Sequence, residues 1–314
     1  MAKMIATREA YGRALASLGD ANPNVVVLDA DLSASTKTVE FAKRHPERFI
    51  QMGIAEQDMI GTAAGLAASG KIAFASTFAV FASGRAFDQV RNAVCYSRLN
   101  VKICATHAGL TVGEDGASHQ SVEDMALMRV IPNMTVIVPS DAVQTAWAVN
   151  AAAALDGPVY MRLGRAPVPA IYEEGRKFAI GKAETLRAGE DVAIVACGIM
   201  VSRAMAAAEA LAEEGVSARV LDMPTIKPLD RDAVLCAAAE TGAIVTAEEH
   251  SIIGGLGGAV CEAVCESCPA PVVRVGVRDQ FGKSGKPDEV LAAYGLTVAD
   301  IVSAGRRAVS MKNA

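Results

Sequence analysis

Short β-prone runs alternate with helix-length, small-residue segments along the whole chain, and this alternation constrains the fold more than any single residue does. Val25–Leu28 is wholly apolar, and Ile72–Ser76, Val101–Ala105, Thr135–Val138 and Pro158–Leu163 follow with room for a helix between them. A strand buried on both faces needs cover on both, which parallel sheets obtain from crossover helices. The pattern restarts with Val192–Cys197, Ala218–Asp222, Ile244–Ala247 and Val272–Val277. Between the two series lies Pro167–Lys182, with Pro, Gly and mixed charge, the composition of a connecting segment. A chain of 314 residues has length for two domains of roughly 100–200 residues each. The sequence therefore predicts an α/β protein of two three-layer domains: residues 1–170 around a parallel sheet, a linker over 171–188, and residues 189–314 around a mixed sheet.

Composition narrows the class. The chain is 52% hydrophobic and 21% charged, and a mean hydropathy of +0.28 allows a large buried subunit interface. A net charge of −5, with no Lys/Arg block and no aromatic platform, gives no electrostatic footprint for nucleic acid. No apolar run reaches the ~18 residues of a membrane span, and Met1–Ala6 carries no secretory apolar region. Seven cysteines without a secreted-scaffold pattern complete the expectation of a cytoplasmic protein.

Chemistry-bearing residues cluster after strands, where α/β folds bind ligands. Glu56, in Gly53-Ile54-Ala55-Glu56-Gln57-Asp58-Met59, stands between a strand end and a helix whose Gly61 and Gly65 suit close packing. Alone, Glu56 would be read as a carboxylate favouring a helix N-terminus. Ser76-Thr77-Phe78-Ala79-Val80-Phe81 places two phenylalanines three apart, on one face of a helical turn; core packing is the usual meaning of such a pair. His107 and His119, half of the chain's four histidines, share the Gly-rich loop Thr106–Gln120 with Glu114 and Asp115. That concentration in a loop points to function, while the spacing lacks a third ligand for a metal site. Asp29-Ala30-Asp31 closes the first apolar run and leads into the polar loop containing Ser35; Arg8 opens the first helix, and Arg162 and Arg165 flank the end of a strand.

The order and spacing of Gly53–Gln57, Ser76–Phe81, Ala105-Thr106-His107 and Gly113–Gln120 resemble the pyrimidine-binding half of transketolase, a thiamine-diphosphate enzyme. The resemblance runs from about Arg8 to the C-terminal helix. It implies a pyrimidine-binding domain followed by a transketolase C-terminal domain that mainly supports subunit contact. It also implies that Glu56 hydrogen-bonds the aminopyrimidine ring nitrogen, aided by partial burial, that Phe78 and Phe81 stack on the ring, and that Asp31 contributes to the cofactor site. His107 and Asp115 would meet sugar hydroxyls and His119 a hydroxyl or phosphate, with both histidines also moving protons. Arg8, Ser35 and Arg165 would hold the substrate phosphate; a guanidinium suits bidentate phosphate contact. The chain departs from the family at Gly84, where transketolases carry another aromatic.

The family's Gly-Asp-Gly signature with downstream paired asparagines, which serves the diphosphate and Mg2+, is missing; Glu114-Asp115-Gly116 is not that motif. The resemblance therefore implies the C-terminal subunit of a split transketolase, with no metal of its own and Mg2+ held by a separate N-terminal subunit, most plausibly in an α2β2 assembly. Such an enzyme passes a two-carbon ketol unit from a ketose phosphate to an aldose. The alternatives left open are the β subunit of a 2-oxo acid dehydrogenase-type decarboxylase and a non-catalytic partner homologue. Two features of the second half are read as structural: the glycine run Gly254–Gly258, which lacks P-loop order, and Cys261, Cys265 and Cys268, expected to be buried thiols facing the core.

Overall fold

The computed structural model describes residues 4–312, so the ends of the expected ranges 1–170 and 189–314, and the first residues of Met1–Ala6, lie outside the described residues. The strands are β1 (Met4–Ala6), β2 (Val25–Asp29), β3 (Phe49–Gln51), β4 (Ile72–Phe78), β5 (Val101–Thr106), β6 (Thr135–Ile137), β7 (Val159–Arg162), β8 (Pro167–Pro169), β9 (Glu184–Arg187), β10 (Val192–Ala196), β11 (Ala218–Asp222), β12 (Thr225–Lys227), β13 (Ile244–Ser251) and β14 (Val272–Val277). The first sheet has the order β12-β6-β7-β5-β4-β2-β3 and the second β14-β13-β10-β11-β9. All pairings in both are parallel except the edge pairs β12–β6 and β11–β9. β1 and β8 form a separate antiparallel pair.

Every residue of β2, β5, β7 and β10 is buried, as strands covered on both faces require. Even Lys102 complies: its Nζ donates to the carbonyls of Leu155 and Gly157, and burial lowers its pKa to about 8. The helices on the sheets are rich in alanine; Ala142–Ala154 starts at the expected cap, where the Asp141 side chain accepts from the backbone N–H of Gln144.

The predicted linker 171–188 ends in β9, a strand of the second sheet, while β12, from the C-terminal half, completes the first. One apolar cluster accordingly runs from Leu28, Met59 and Ile103 through Val138 to Val195, Ile226 and Val260. Among the described residues, Gly61 and Gly65 pack against nothing: a Cβ at either would face open space. Among the described residues no helix is long and apolar enough to cross a membrane.

Candidate active site

The candidate residues gather because each follows the C-terminal end of a parallel strand: Asp31 and Ser35 after β2, Glu56 after β3, Phe78 and Phe81 at β4, His107 after β5 and Arg165 after β7. Arg8 joins them through the first turn of helix Thr7–Ala21. That turn is tied to the chain beyond β7: Gly164 N–H donates to Thr7 Oγ1 at 2.7 Å and Arg8 N–H to the Gly164 carbonyl at 3.4 Å.

Glu56 is the first residue of helix Glu56–Ala68. Its side chain is 2% exposed, and both carboxylate oxygens accept from Arg85 Nη1, at 3.0 and 2.9 Å. The Arg85 guanidinium also lies 4.4 Å from the centroid of the Phe81 ring, within cation–π range. Arg85 was not singled out from the sequence, where an arginine in a helical stretch reads as a solvated charge. The available signal was its spacing: Phe81 and Arg85, four residues apart, share a face of the π-helical turn Phe81–Arg85, a geometry frequent at functional sites. Next to it, a Cβ at Gly84 would meet nothing, so the missing aromatic leaves that wall open.

The phenylalanine pair is placed differently from expectation. Phe78 is the last residue of β4 rather than part of a helical turn, and only Phe81 opens the turn that follows. Their rings are nearly parallel, with centroids 5.9 Å apart. Phe78 is buried against the His107 ring at 3.8 Å, so the two aromatics do not present equal faces; Phe81 is the half-buried one. His119 stands edge-on to both, at 6.1 and 5.6 Å.

His107 is held in a left-handed backbone conformation, φ 56°, uncommon for a non-glycine residue. Arg8 Nη1 lies 3.3 Å from its Nε2 and Thr106 Oγ1 2.9 Å from its Nδ1. A guanidinium only donates, so Nε2 accepts, the ring is neutral, and its proton sits on Nδ1. Burial first, then the charges of Arg8, Arg165, His119 and Lys37, push the His107 pKa down to about 3. Lys37 is a neighbour that no motif or spacing in the sequence singles out.

Arg8 Nη1 also donates to the backbone carbonyl of Ser35 at 2.9 Å; Ser35 meets it through that carbonyl and not through its hydroxyl. Among the described residues Arg8 Nε is buried without a partner, a donor left over for a ligand. The Ser35 loop is fixed from beneath by Asp29, whose carboxylate accepts from Leu32 N–H and from the hydroxyls of Thr36 and Thr38. Asp31 is exposed with φ 62°, its N–H donating to Gln51 Oε1; its carboxylate makes no hydrogen bond or ion pair with the other candidates among the described residues. Arg165 Nη1 donates to the Val112 carbonyl and pairs with Glu114 at 3.4 Å and Asp115 at 3.7 Å, so Asp115 here faces an arginine.

The histidine loop is anchored by the C-terminal half, a role beyond the subunit contact that the resemblance mainly implies for it. Thr111 N–H donates to Glu249 Oε1 at 2.5 Å, Gln120 Nε2 to the Lys283 carbonyl at 3.0 Å, and Ser251 N–H to the Val122 carbonyl at 2.7 Å. Gly109, with φ 79°, leaves room for the Glu249 carboxylate, which a Cβ there would strike.

The glycine run resolves as a cradle filled by the protein itself: Leu256 and Gly257 N–H groups donate to the two oxygens of Glu248 at 2.7 and 2.8 Å. The cysteines overturn their expectation, since Cys265 is exposed and Cys261 and Cys268 are half-buried. Helix Leu256–Ser267, which carries Cys261 and Cys265 and ends at Cys268, turns Val260, Ala263 and Val264 to the core instead. Among the described residues no group of three or more His, Cys, Asp or Glu side chains is placed to hold a metal ion. The residues thus fit the aromatic end of thiamine diphosphate, with a buried carboxylate beside a half-buried ring and an open wall, and offer no metal-binding group for its charged end.

Residues 3–170 match the family model for the transketolase pyrimidine-binding domain and residues 181–301 that for the transketolase C-terminal domain. The chain is 53% identical over 292 residues to a putative transketolase C-terminal section of Methanocaldococcus jannaschii, covering 92% of each. It is 47% identical to a 6-deoxy-6-sulfo-D-fructose transketolase subunit of a Clostridium species, covering 98% of this chain and 95% of that one. With transketolase-like protein 2 of Mus musculus it shares 45% identity over 96% of its own length but only 48% of that protein's. A solved structure described as a split gene transketolase, inactive beta4 tetramer, superposes with a TM-score of 0.93 at 58% identity, covering 98% of this chain and 99% of that one.

Proposed function

The chain belongs to the transketolase family, and from that premise we propose that it is the C-terminal subunit of a split transketolase, active with a separate N-terminal subunit. The observation that carries the proposal is the pairing of an aromatic-and-carboxylate constellation at Glu56 and Phe81 with the lack of any metal-binding group among the described residues. On this reading the N-terminal subunit holds Mg2+ and the diphosphate, the pair assembles as α2β2 in the cytoplasm, and the division at 171–188 separates the ring-binding unit from the C-terminal one. The open face at Gly61 and Gly65 is available to another subunit.

Thiamine diphosphate, when bound, supplies the group that stabilises the negative charge left on carbon as the sugar's carbon–carbon bond breaks. Glu56 accepts a hydrogen bond from the aminopyrimidine and so governs the proton on that ring, while Phe81 offers its face and Asp31 borders the cofactor. His107, neutral with Nε2 free of a proton, accepts a hydrogen bond or proton from a substrate hydroxyl once Arg8 turns to the substrate. His119 and Asp115 orient neighbouring hydroxyls, and His119 shares in proton movement. Arg8, with its unpartnered Nε, Ser35 and Arg165 hold the phosphate of a ketose phosphate, and a two-carbon unit passes to an aldose acceptor.

The relatives named for 6-deoxy-6-sulfo-D-fructose and for apulose-4-phosphate make the donor the point to test. Transfer from xylulose 5-phosphate to ribose 5-phosphate should require thiamine diphosphate, Mg2+ and both subunits, and Glu56→Gln should lower it by about 10²–10⁴-fold. Activity from this chain alone would overturn the two-subunit reading. A silent pair that still binds cofactor would redirect the assay to sulfonated or other donors, then to 2-oxo acids.

A further inference from the structure

Arg85 has no part in the reaction proposed above, yet it occupies both groups assigned to the cofactor's ring. One Nη1 atom serves both oxygens of Glu56, and the guanidinium carbon lies over the Phe81 ring, 4.4 Å from its centroid. Its backbone is pinned as well, since Gln57 Nε2 donates to the Arg85 carbonyl at 3.0 Å. The two partners differ sharply in exposure: Glu56 is 2% exposed and Arg85 48%. A buried carboxylate is costly without a donor, so this slot requires one at all times. Arg85 delivers it from the solvent side and can retire into water, and the neighbouring Gly84 faces open space. A group that replaces it must bring a flat face for Phe81 and a hydrogen-bond donor for Glu56.

We propose that Arg85 is a stand-in for the cofactor's aminopyrimidine ring: it fills the Glu56–Phe81 slot in the free chain and is displaced when the ring binds. It thereby restricts the slot to flat ligands that donate a hydrogen bond to Glu56. The inference rests on the assignment of Glu56 and Phe81 to thiamine diphosphate. It makes Arg85 a competitor of the ring in the isolated subunit, so removing the guanidinium unmasks the slot.

The test is calorimetric titration of thiamine, which carries the ring without the diphosphate, into the full chain. Arg85→Ala should bind thiamine about tenfold more tightly than wild type, and Arg85→Lys, which restores a cation, should return toward wild type. The double variant Arg85→Ala with Glu56→Gln should lose the gain, because the donor no longer meets a carboxylate. Thermal unfolding guards against a folding artefact: thiamine should raise the Tm of Arg85→Ala more than that of wild type. Equal or weaker binding by a folded Arg85→Ala, or no thiamine binding by any variant, overturns the inference. Thiamine diphosphate binding to the reconstituted pair, measured in parallel, separates the two levels. If the wild-type pair binds and Arg85→Ala shows no gain, only the role of Arg85 falls; if the pair binds nothing, the assignment of the cofactor falls with it.

Discussion

At the scale of residues, His107 shows how much of the site could be read from sequence. Scarcity and a glycine-rich loop marked it, but its protonation state comes from contacts that no spacing reveals: Thr106 on one nitrogen, Arg8 on the other, and the Phe78 ring beneath. With its pKa pushed down to about 3, His107 should remain neutral, and its ring proton shifts should stay unchanged by NMR between about pH 8 and about pH 5, where an ordinary histidine titrates. The sign for stability follows. The unfolded chain binds the proton first, so the contribution of buried neutral His107 is fully present above about pH 6.5 and is lost progressively as pH falls toward about 3. Arg85 and Lys37 stayed hidden for the opposite reason: a lone cation in a polar or helical stretch is the commonest feature of a protein surface.

At the scale of elements, the strands and their C-terminal ends were legible because apolar runs mark them, and five of those ends carry the site. What joins the loop after β5 to the rest was not. The contact between Thr111 and Glu249 spans 138 positions and has no local pattern. Glu249 is buried, and burial raises its pKa while Arg162 and the Thr111 N–H pull it back. Glu249→Ala should free the turn Leu110–Asp115, which carries Asp115, while leaving every candidate site side chain unsubstituted. Amide exchange at Thr111 should accelerate, and in the active pair KM for the sugar should rise more than kcat falls, since the loop would have to be ordered by substrate. An unchanged exchange rate would show that Gln120 and Ser251 hold the loop unaided.

At the scale of the molecule, the two halves are joined by buried polar contacts as well as by shared apolar surface. Arg162, at the end of β7, binds Asp124 at 2.9 Å and donates to the carbonyls of Ser121 and Glu249. Asp222, at the end of β11, accepts from Ser140, Gln144 and Tyr172, and burial pushes its pKa up to about 6. Arg162→Met should leave the Asp124 carboxylate buried without its ion partner, with only the Tyr160 hydroxyl among the described residues donating to it, and destabilise the chain by about 3–5 kcal/mol, read as a lower denaturant midpoint. The wild type should unfold in one transition rather than two. The order in which the chain leaves the ribosome gives β12 a further meaning. The outer edge of β6, Thr135–Ile137, has to wait until Thr225–Lys227 has been made, so through much of its synthesis the first sheet carries an unpaired rim, open to whatever strand reaches it first.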